Sequence, residues 1–215
     1  QCFEPYWGEF KNRLHPAAGN HDMNSGISDY SAYFGSAAGE AGKFYYSYNV
    51  GTWHVVVLNS QCGLHADGCN SDPAQLQWLQ QDLANNSARC TIAYWHFPRF
   101  TSGTQLPWPR VGPFWDLLYA DGAEIVMNGH DHHYERFAPM NPAGQIDEAN
   151  GIREFIVGTG GAYMIPLPDT VAENSEYRQD ESFGLLALIL YSDRYEWQFI
   201  DVNGNLLDYG EGYCH

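Results

Sequence analysis

The sequence predicts an α/β fold in which two β-sheets pack as a sandwich flanked by helices. Three observations carry that reading. Short β-branched runs alternate with helical patterns between Phe44 and Met127, the order of βαβ units and of a sheet covered on both faces. Beyond Gly151 the helical patterns give way to strand-like runs, enough for a second sheet. Finally, Gly- and His-rich clusters fall at strand-to-loop junctions, where open α/β sheets place their ligands.

The elements follow in order. Residues 1–19 read as the exit of a helix or turn leading into a loop, with Trp7, Phe10 and Leu14 apolar and Pro16 stopping any helix. Phe44 to Val50, Gly51-Thr52 and Trp53 to Leu58 read as a hairpin. Pro73 to Ala84 has helical spacing through Leu76, Leu79 and Leu83, with Asp72 as N-cap before a first-turn proline. Thr91 to Trp95 is a buried strand ending at His96, Pro113 to Tyr119 a helix, and Glu124 to Met127 a strand ending at Asn128-Gly129-His130. Arg153 to Val157, Gly184 to Tyr191 and Tyr195 to Val202 read as strands, with Asn203-Gly204 as a hairpin turn. Residues 158–161 and 166–182 read as loops. No repeat or internal boundary is visible, so residues 1–215 read as a single domain.

Composition narrows the function. Ten basic against 26 acidic residues give a net charge of −16, which excludes nucleic acid or an anionic membrane surface as the main partner. No apolar run reaches the roughly 20 residues needed to span a bilayer, and no signal peptide is visible, so the expectation is a soluble, mature or processed chain. Five cysteines favour an oxidising compartment, secreted or periplasmic, although buried free thiols remain an alternative. Cys62 and Cys69 bracket a short segment and are expected to pair, as are Cys90 and Cys214, leaving Cys2 over. Asn85-Asn86-Ser87 offers Asn85 as an N-glycosylation acceptor.

The chemistry sits in three places: Gly19-Asn20-His21-Asp22, His96 at a strand end, and Gly129-His130-Asp131-His132-His133. An amide oxygen with several imidazoles suits zinc, iron or manganese. His130 and His132 alternate along what reads as an extended loop, so their rings need different environments. Asp22 is placed to orient His21, which could then protonate a leaving alkoxide. Gly-Asn-His-Asp alone would also suit an ordinary turn, and a lone His at a strand end is commonly structural. Three such elements at strand-to-loop junctions point instead to a site.

Four segments carry a resemblance: Pro16 to Asp22, Ala93 to Pro98, Asn128 to Phe137 and Arg153 to Gly161. The chain resembles the calcineurin-like metallophosphoesterases, and within them the secreted bacterial relatives of purple acid phosphatases. The resemblance implies two metal ions sharing a bridging carboxylate and hydroxide. Asn20, His96 and His130 would bind one ion, His132 the other, and His21 would face the phosphate of a small phosphate ester. It also implies an N-terminal βαβ portion carrying an Asp strand and a Gly-Asp-x-x-Tyr segment, which this sequence does not contain.

Two further departures are Thr104-Gln105-Leu106, where relatives carry a substrate-contacting His, and Phe97, where many have a second His. The expectation is therefore two metals if a missing segment completes the site, and one or none in this chain alone. The open sheet would be covered by that segment, a partner subunit or a neighbouring copy. Two functions follow: a phosphatase domain completed from outside, or a non-catalytic, self-assembling extracellular protein built on the same fold.

Overall fold

The computed structural model describes residues 3–24, 27–105 and 108–215. Cys2, expected to be left over, and Leu106 lie outside them. The chain enters through helix α1 (Glu4–Trp7) and a 3-10 turn at Gly8–Arg13, then α2 (Asn20–Asn24) and α3 (Ile27–Phe34). Strands β1 (Tyr46–Val50) and β2 (Trp53–Val57) form the expected hairpin. Helix α4 (Pro73–Asn85), β3 (Cys90–Trp95), α5 (Gly112–Asp121) and β4 (Ile125–Asn128) complete two βαβ crossovers. Asp72 caps α4 by accepting the Gln75 N–H at 3.1 Å, and Gly122, left-handed at φ 86°, closes α5.

Strands β5 (Tyr134–Phe137), β6 (Arg153–Val157) and β7 (Ser175–Gln179) extend the same sheet. Its order is β1-β2-β3-β4-β6-β5-β7, with β2, β3, β4 and β6 parallel. A second antiparallel sheet has the order β10-β9-β8, from β8 (Gly184–Leu190), β9 (Arg194–Asp201) and β10 (Leu206–Tyr213). The α/β, two-sheet architecture read from the sequence is therefore present. Residues 166–182 are not all loop, however, because Ser175–Gln179 pairs with β5. Asn20 also opens a short helix rather than lying in a loop.

Three layers result. Leu79, Leu83, Phe114, Trp115 and Leu118 of α4 and α5 pack on Val56, Ala93, Trp95 and Val126 of the large sheet. On its other face Trp53, Ile92, Ile125 and Phe155 meet Tyr195, Trp197 and Phe199 of β9. Successive residues of β2, β3 and β4 thus serve opposite layers, the period-2 geometry of a strand buried on both sides. β9 alternates buried and half-buried positions, as a strand with one core face should. Asp208 ties the sheets together, accepting from Tyr134 Oη (2.8 Å), Arg136 Nε (2.8 Å) and Trp197 Nε1 (3.1 Å). Among the described residues no helix is long and apolar enough to cross a membrane.

Cys62 pairs with Cys69, and Cys90 with Cys214. The second bond clips the start of β3 to the residue after β10 across a separation of 124 residues. Disulfides typically contribute about 2–4 kcal/mol of stability, and a loop of that reach lies at or above the top of that range in the chain-entropy model. Replacing Cys90→Ser together with Cys214→Ser is expected to lower the unfolding free energy by that amount in a urea titration. An unchanged midpoint at an unchanged slope would show that the bond contributes nothing.

Candidate metal centre

Three parallel central strands deliver the candidate site to their carboxyl ends in the large sheet. β3 ends at Trp95 and presents His96, β4 ends at Asn128 and presents Gly129-His130, and β6 ends at Val157 before Gly158. The Gly129 N–H donates to the His96 carbonyl at 3.1 Å, continuing the pairing one step past the strands. The segment 129–133 is not extended as the sequence suggested. His130 is left-handed at φ 65°, and the N–H groups of Asp131 and His133 donate to the carbonyls two residues earlier, at 2.8 and 2.9 Å. Such tight turns, with a non-glycine residue at positive φ, store about 1–3 kcal/mol and concentrate at functional sites. They separate the two rings: His130 turns inward to His96, and His132 turns out to the loop after β6.

The inward group is compact. His96 Nε2 lies 2.7 Å from Asn20 Oδ1 and 3.1 Å from His130 Nδ1. Burial pushes the His96 imidazole down to about 3, with His130, His21 and His132 adding to the effect. Burial also lowers His130, against the opposing charge of Asp131. Neutral rings expose lone pairs. One proton on His96 Nε2 cannot satisfy both neighbours, whereas a cation among the three atoms can. Ligands held about 2.1 Å from one ion stand about 3–3.4 Å apart, close to the His96–His130 spacing and a little wider than His96–Asn20, so the donor types and their proximity fit a metal ion. Phe97 walls the set, its ring edge-on to His130 at 4.6 Å and stacked on Trp108 at 4.2 Å. An apolar wall thus bounds the cluster on that side.

The other expected residues are placed differently. His132 donates Nδ1–H to the Tyr163 carbonyl at 2.7 Å, which leaves Nε2 as its free lone pair. It forms no three-donor cluster with His96 and His130; among the described residues the sole such group of His, Cys, Asp or Glu is Cys90, Glu124 and Cys214, where the cysteines are bonded to each other. Asp22 does not orient His21 through a hydrogen bond among those the described residues form. Its Oδ2 instead accepts the Gly19 N–H at 2.8 Å, because a carboxylate three residues into a helix reaches back to the N-cap amide. That contact holds the turn presenting Asn20, while His21 is exposed. Asn85 is exposed at the end of α4 and donates Nδ2–H to the Gln81 carbonyl.

Beneath the site lies a layer that sequence reasoning missed. Glu154 accepts the N–H groups of Arg99 and Phe100 at 2.8 and 3.1 Å. Glu135 accepts the Ser102 N–H (2.8 Å), the hydroxyls of Ser102 and Ser175, and His133 Nε2 (3.0 Å). Burial alone would raise Glu135, but these bonds outweigh it and hold the carboxyl below its ordinary range. Asp131 accepts the Thr101 hydroxyl at 2.6 Å. A Cβ on Gly158 would fall 1.6 Å from the Asp131 carbonyl oxygen, so only glycine lets β6 end against the histidine turn. The available signal was Glu154 inside the apolar run Arg153 to Val157, since Glu is almost never buried without partners; Glu135 lies in β5, which no sequence pattern marked as a strand.

The two-sheet α/β fold gathers imidazoles at parallel strand ends, where open α/β sheets place their ligands. Residues 1–134 match the family model described as Calcineurin-like phosphoesterase, and the chain belongs to that family. It is 32% identical over 181 residues to Purple acid phosphatase 15 of Arabidopsis thaliana, covering 73% of this chain and 32% of that protein. It is 27% identical over 201 residues to an uncharacterized protein of Mycobacterium tuberculosis, covering 71% of this chain and 37% of that one. The chain thus spans about a third of the length of these curated relatives. In fold it is similar to purple acid phosphatase PPD1 from yellow lupin seeds, with a TM-score of 0.74 at 17% identity over 92% of this chain and 38% of that one. It is also similar to GAP50 of Plasmodium, with a TM-score of 0.72 at 12% identity over 93% and 65% of the two chains.

The buried charges make a pH signature. Burial pushes Glu154 from 4.5 up to about 8, despite its two backbone donors. A carboxyl raised on folding stabilises most fully below the ordinary range, and that contribution is lost as pH rises through the folded value. His96, lowered from 6.5, acts oppositely, adding stability as pH rises to its ordinary range. Between pH 6.5 and 8 the Glu154 effect stands alone of the two. Urea midpoints should therefore fall across this window, and Glu154→Gln should flatten the fall. A slope identical in both proteins would refute the assignment. Gly158→Ala should unfold the protein at lower urea than any other single glycine-to-alanine change at the strand ends.

Proposed function

We propose that this domain hydrolyses small phosphate monoesters, using a metal ion held by Asn20 Oδ1, His96 Nε2 and His130 Nδ1. The observation that carries the reading is the convergence of those three atoms, at 2.7 and 3.1 Å, at the carboxyl ends of the central strands. Zinc, iron or manganese suits such a mixed donor set and supplies Lewis acidity toward the phosphate together with an acidified water. The protein's own part is positional. The neutral rings of His96 and His130 keep their lone pairs inward, the capped turn at Gly19 presents Asn20, and the Tyr163 carbonyl fixes the His132 tautomer so that Nε2 faces outward. His21, exposed beside Asn20 in the same short helix, is the residue proposed to pass a proton to the departing alkoxide.

One ion accounts for the donors among the described residues. A second, at His132, would draw its carboxylates from elsewhere: a preceding segment, a partner subunit or a neighbouring copy. The two disulfides suit a secreted or periplasmic setting, and Asn85 remains the acceptor proposed for a glycan there.

A second reading, a non-catalytic assembly protein, draws support from the carboxylate-free donor set and from the shared fold of GAP50, titled "the anchor in the inner membrane complex of Plasmodium". His96→Ala separates the two. The phosphatase reading expects bound metal to fall from about one ion per chain to none. Hydrolysis of 4-nitrophenyl phosphate should drop at least about 100-fold, since even outer-shell changes at metal sites cost 10–100-fold. A wild-type protein that binds no metal, hydrolyses nothing and forms regular polymers, equally with and without the His96→Ala substitution, would establish the assembly reading instead.

A further inference from the structure

We propose that an aromatic groove beside the histidine cluster is a leaving-group subsite, selecting phosphate esters of uncharged aromatic alcohols over multiply phosphorylated ones. The proposal rests on the phosphoesterase reading above and names its substrate class. The groove encloses about 690 Å³ between α1, the segment Leu14–Ala17 and α3, within the roughly 300–1,000 Å³ of small-molecule sites. Its walls are the rings of Phe3, Trp7, Tyr33 and Phe34. Phe3 organises them, stacked with Trp7 at 6.2 Å and edge-on to Tyr33 and Phe34 at 5.8 and 5.9 Å. Phe3 and Trp7 nevertheless remain 42% and 48% exposed, a pair of large apolar surfaces left open on an acidic protein.

Continuity with the metal donors gives the groove its meaning. Asp22 lines it, two residues past Asn20 in the same short helix and bonded to the Gly19 N–H at 2.8 Å. The same groove reaches Gly160, two residues past the Gly158 backbone that abuts Asp131 and His132. A Cβ at Gly160 would meet nothing within 4 Å, so the rim is open there. An ester whose phosphate sits at the histidines therefore has space for its organic part among these rings.

Charge decides which organic part fits. Glu4, Asp22 and Asp29 line the groove, outnumbering its basic neighbours, which are His15 in the wall and Lys11 set over the Tyr33 ring at 4.2 Å. Additional phosphates on the leaving group would meet carboxylates in a protein of net charge −16 and be repelled. A planar, uncharged ring instead gains offset-stacked and edge contacts, about 0.5–1.5 kcal/mol each beyond burial. In the reaction the P–O bond to the aryl oxygen breaks, water supplies the new oxygen on phosphorus, and the protons are shared between phosphate and the released phenol.

The test uses 1-naphthyl phosphate, glycerol 2-phosphate and inositol hexakisphosphate as substrates of the metal-loaded protein, and 1-naphthol as a ligand of the metal-free protein. We expect kcat/KM to favour naphthyl phosphate, and Trp7→Ala to lower its ratio to glycerol 2-phosphate about tenfold, the loss of one aromatic contact. Trp7→Phe should keep most of that ratio. Calorimetric titration should show 1-naphthol binding weakened by a similar factor in Trp7→Ala. A ratio and a naphthol affinity both indifferent to Trp7, or a preference for inositol hexakisphosphate, would overturn the subsite. If nothing is hydrolysed yet naphthol binding depends on Trp7, the aromatic site stands and the phosphoesterase reading falls.

Discussion

Two carboxylates buried under the loop after β3 hold the rest of the site in place. Glu154 on β6 and Glu135 on β5 are both fully buried, and a buried carboxylate is tolerable only with its oxygens satisfied. They find their donors in the backbone of Arg99, Phe100 and Ser102 and in the hydroxyls of Ser102 and Ser175. The loop is therefore pinned from below by partners it cannot lose without leaving buried carboxyl oxygens unsatisfied. His96, which begins that loop, and His133, which binds Glu135, inherit the rigidity. This is support by outer residues, the kind that lets a metal-binding ring hold one orientation.

Above that layer the site is built by removing alternatives. Gly158 admits the histidine turn against β6, and the left-handed His130 sends neighbouring imidazoles in opposite directions. Burial keeps His96 and His130 uncharged, and Phe97 and Trp108 exclude water from one side. The result is a cluster of lone pairs with too few protons among them, an arrangement that is costly alone and favourable around a cation. The same economy of charge extends outward. Carboxylates line the groove next to the site, so in the proposed reading the attraction for a phosphate comes from a cation held by the imidazoles, and a second phosphate has no counterpart in the groove.

How much was legible beforehand depended on how local each cause is. The β1–β2 hairpin, helix α4 with its Asp72 cap, β3, α5 and β9 were readable because periodicity, capping and turn chemistry act within a few residues. β7 was not. Ser175–Gln179 is polar and half-buried, and it is a strand only because β5 offers it an edge. β5 was equally hidden, since Tyr134–Phe137 carries Glu135 and Arg136 whose partners lie on Ser102, Ser175 and Asp208.

The sequence by itself determined the layered α/β class and the identity of the histidine and asparagine motifs, because residue type and spacing are enough for each, whereas it only suggested the cysteine pairs, since spacing does not fix connectivity. Only the tertiary structure decided that His130 meets His96 while His132 meets Tyr163, that Asp22 caps a helix instead of steering His21, and that two glutamates carry the loop. Those outcomes turn on hydrogen-bond donors and excluded volume supplied by residues far away in the chain. A buried charge takes whichever partner the packed elements bring to it, and no local pattern records that choice.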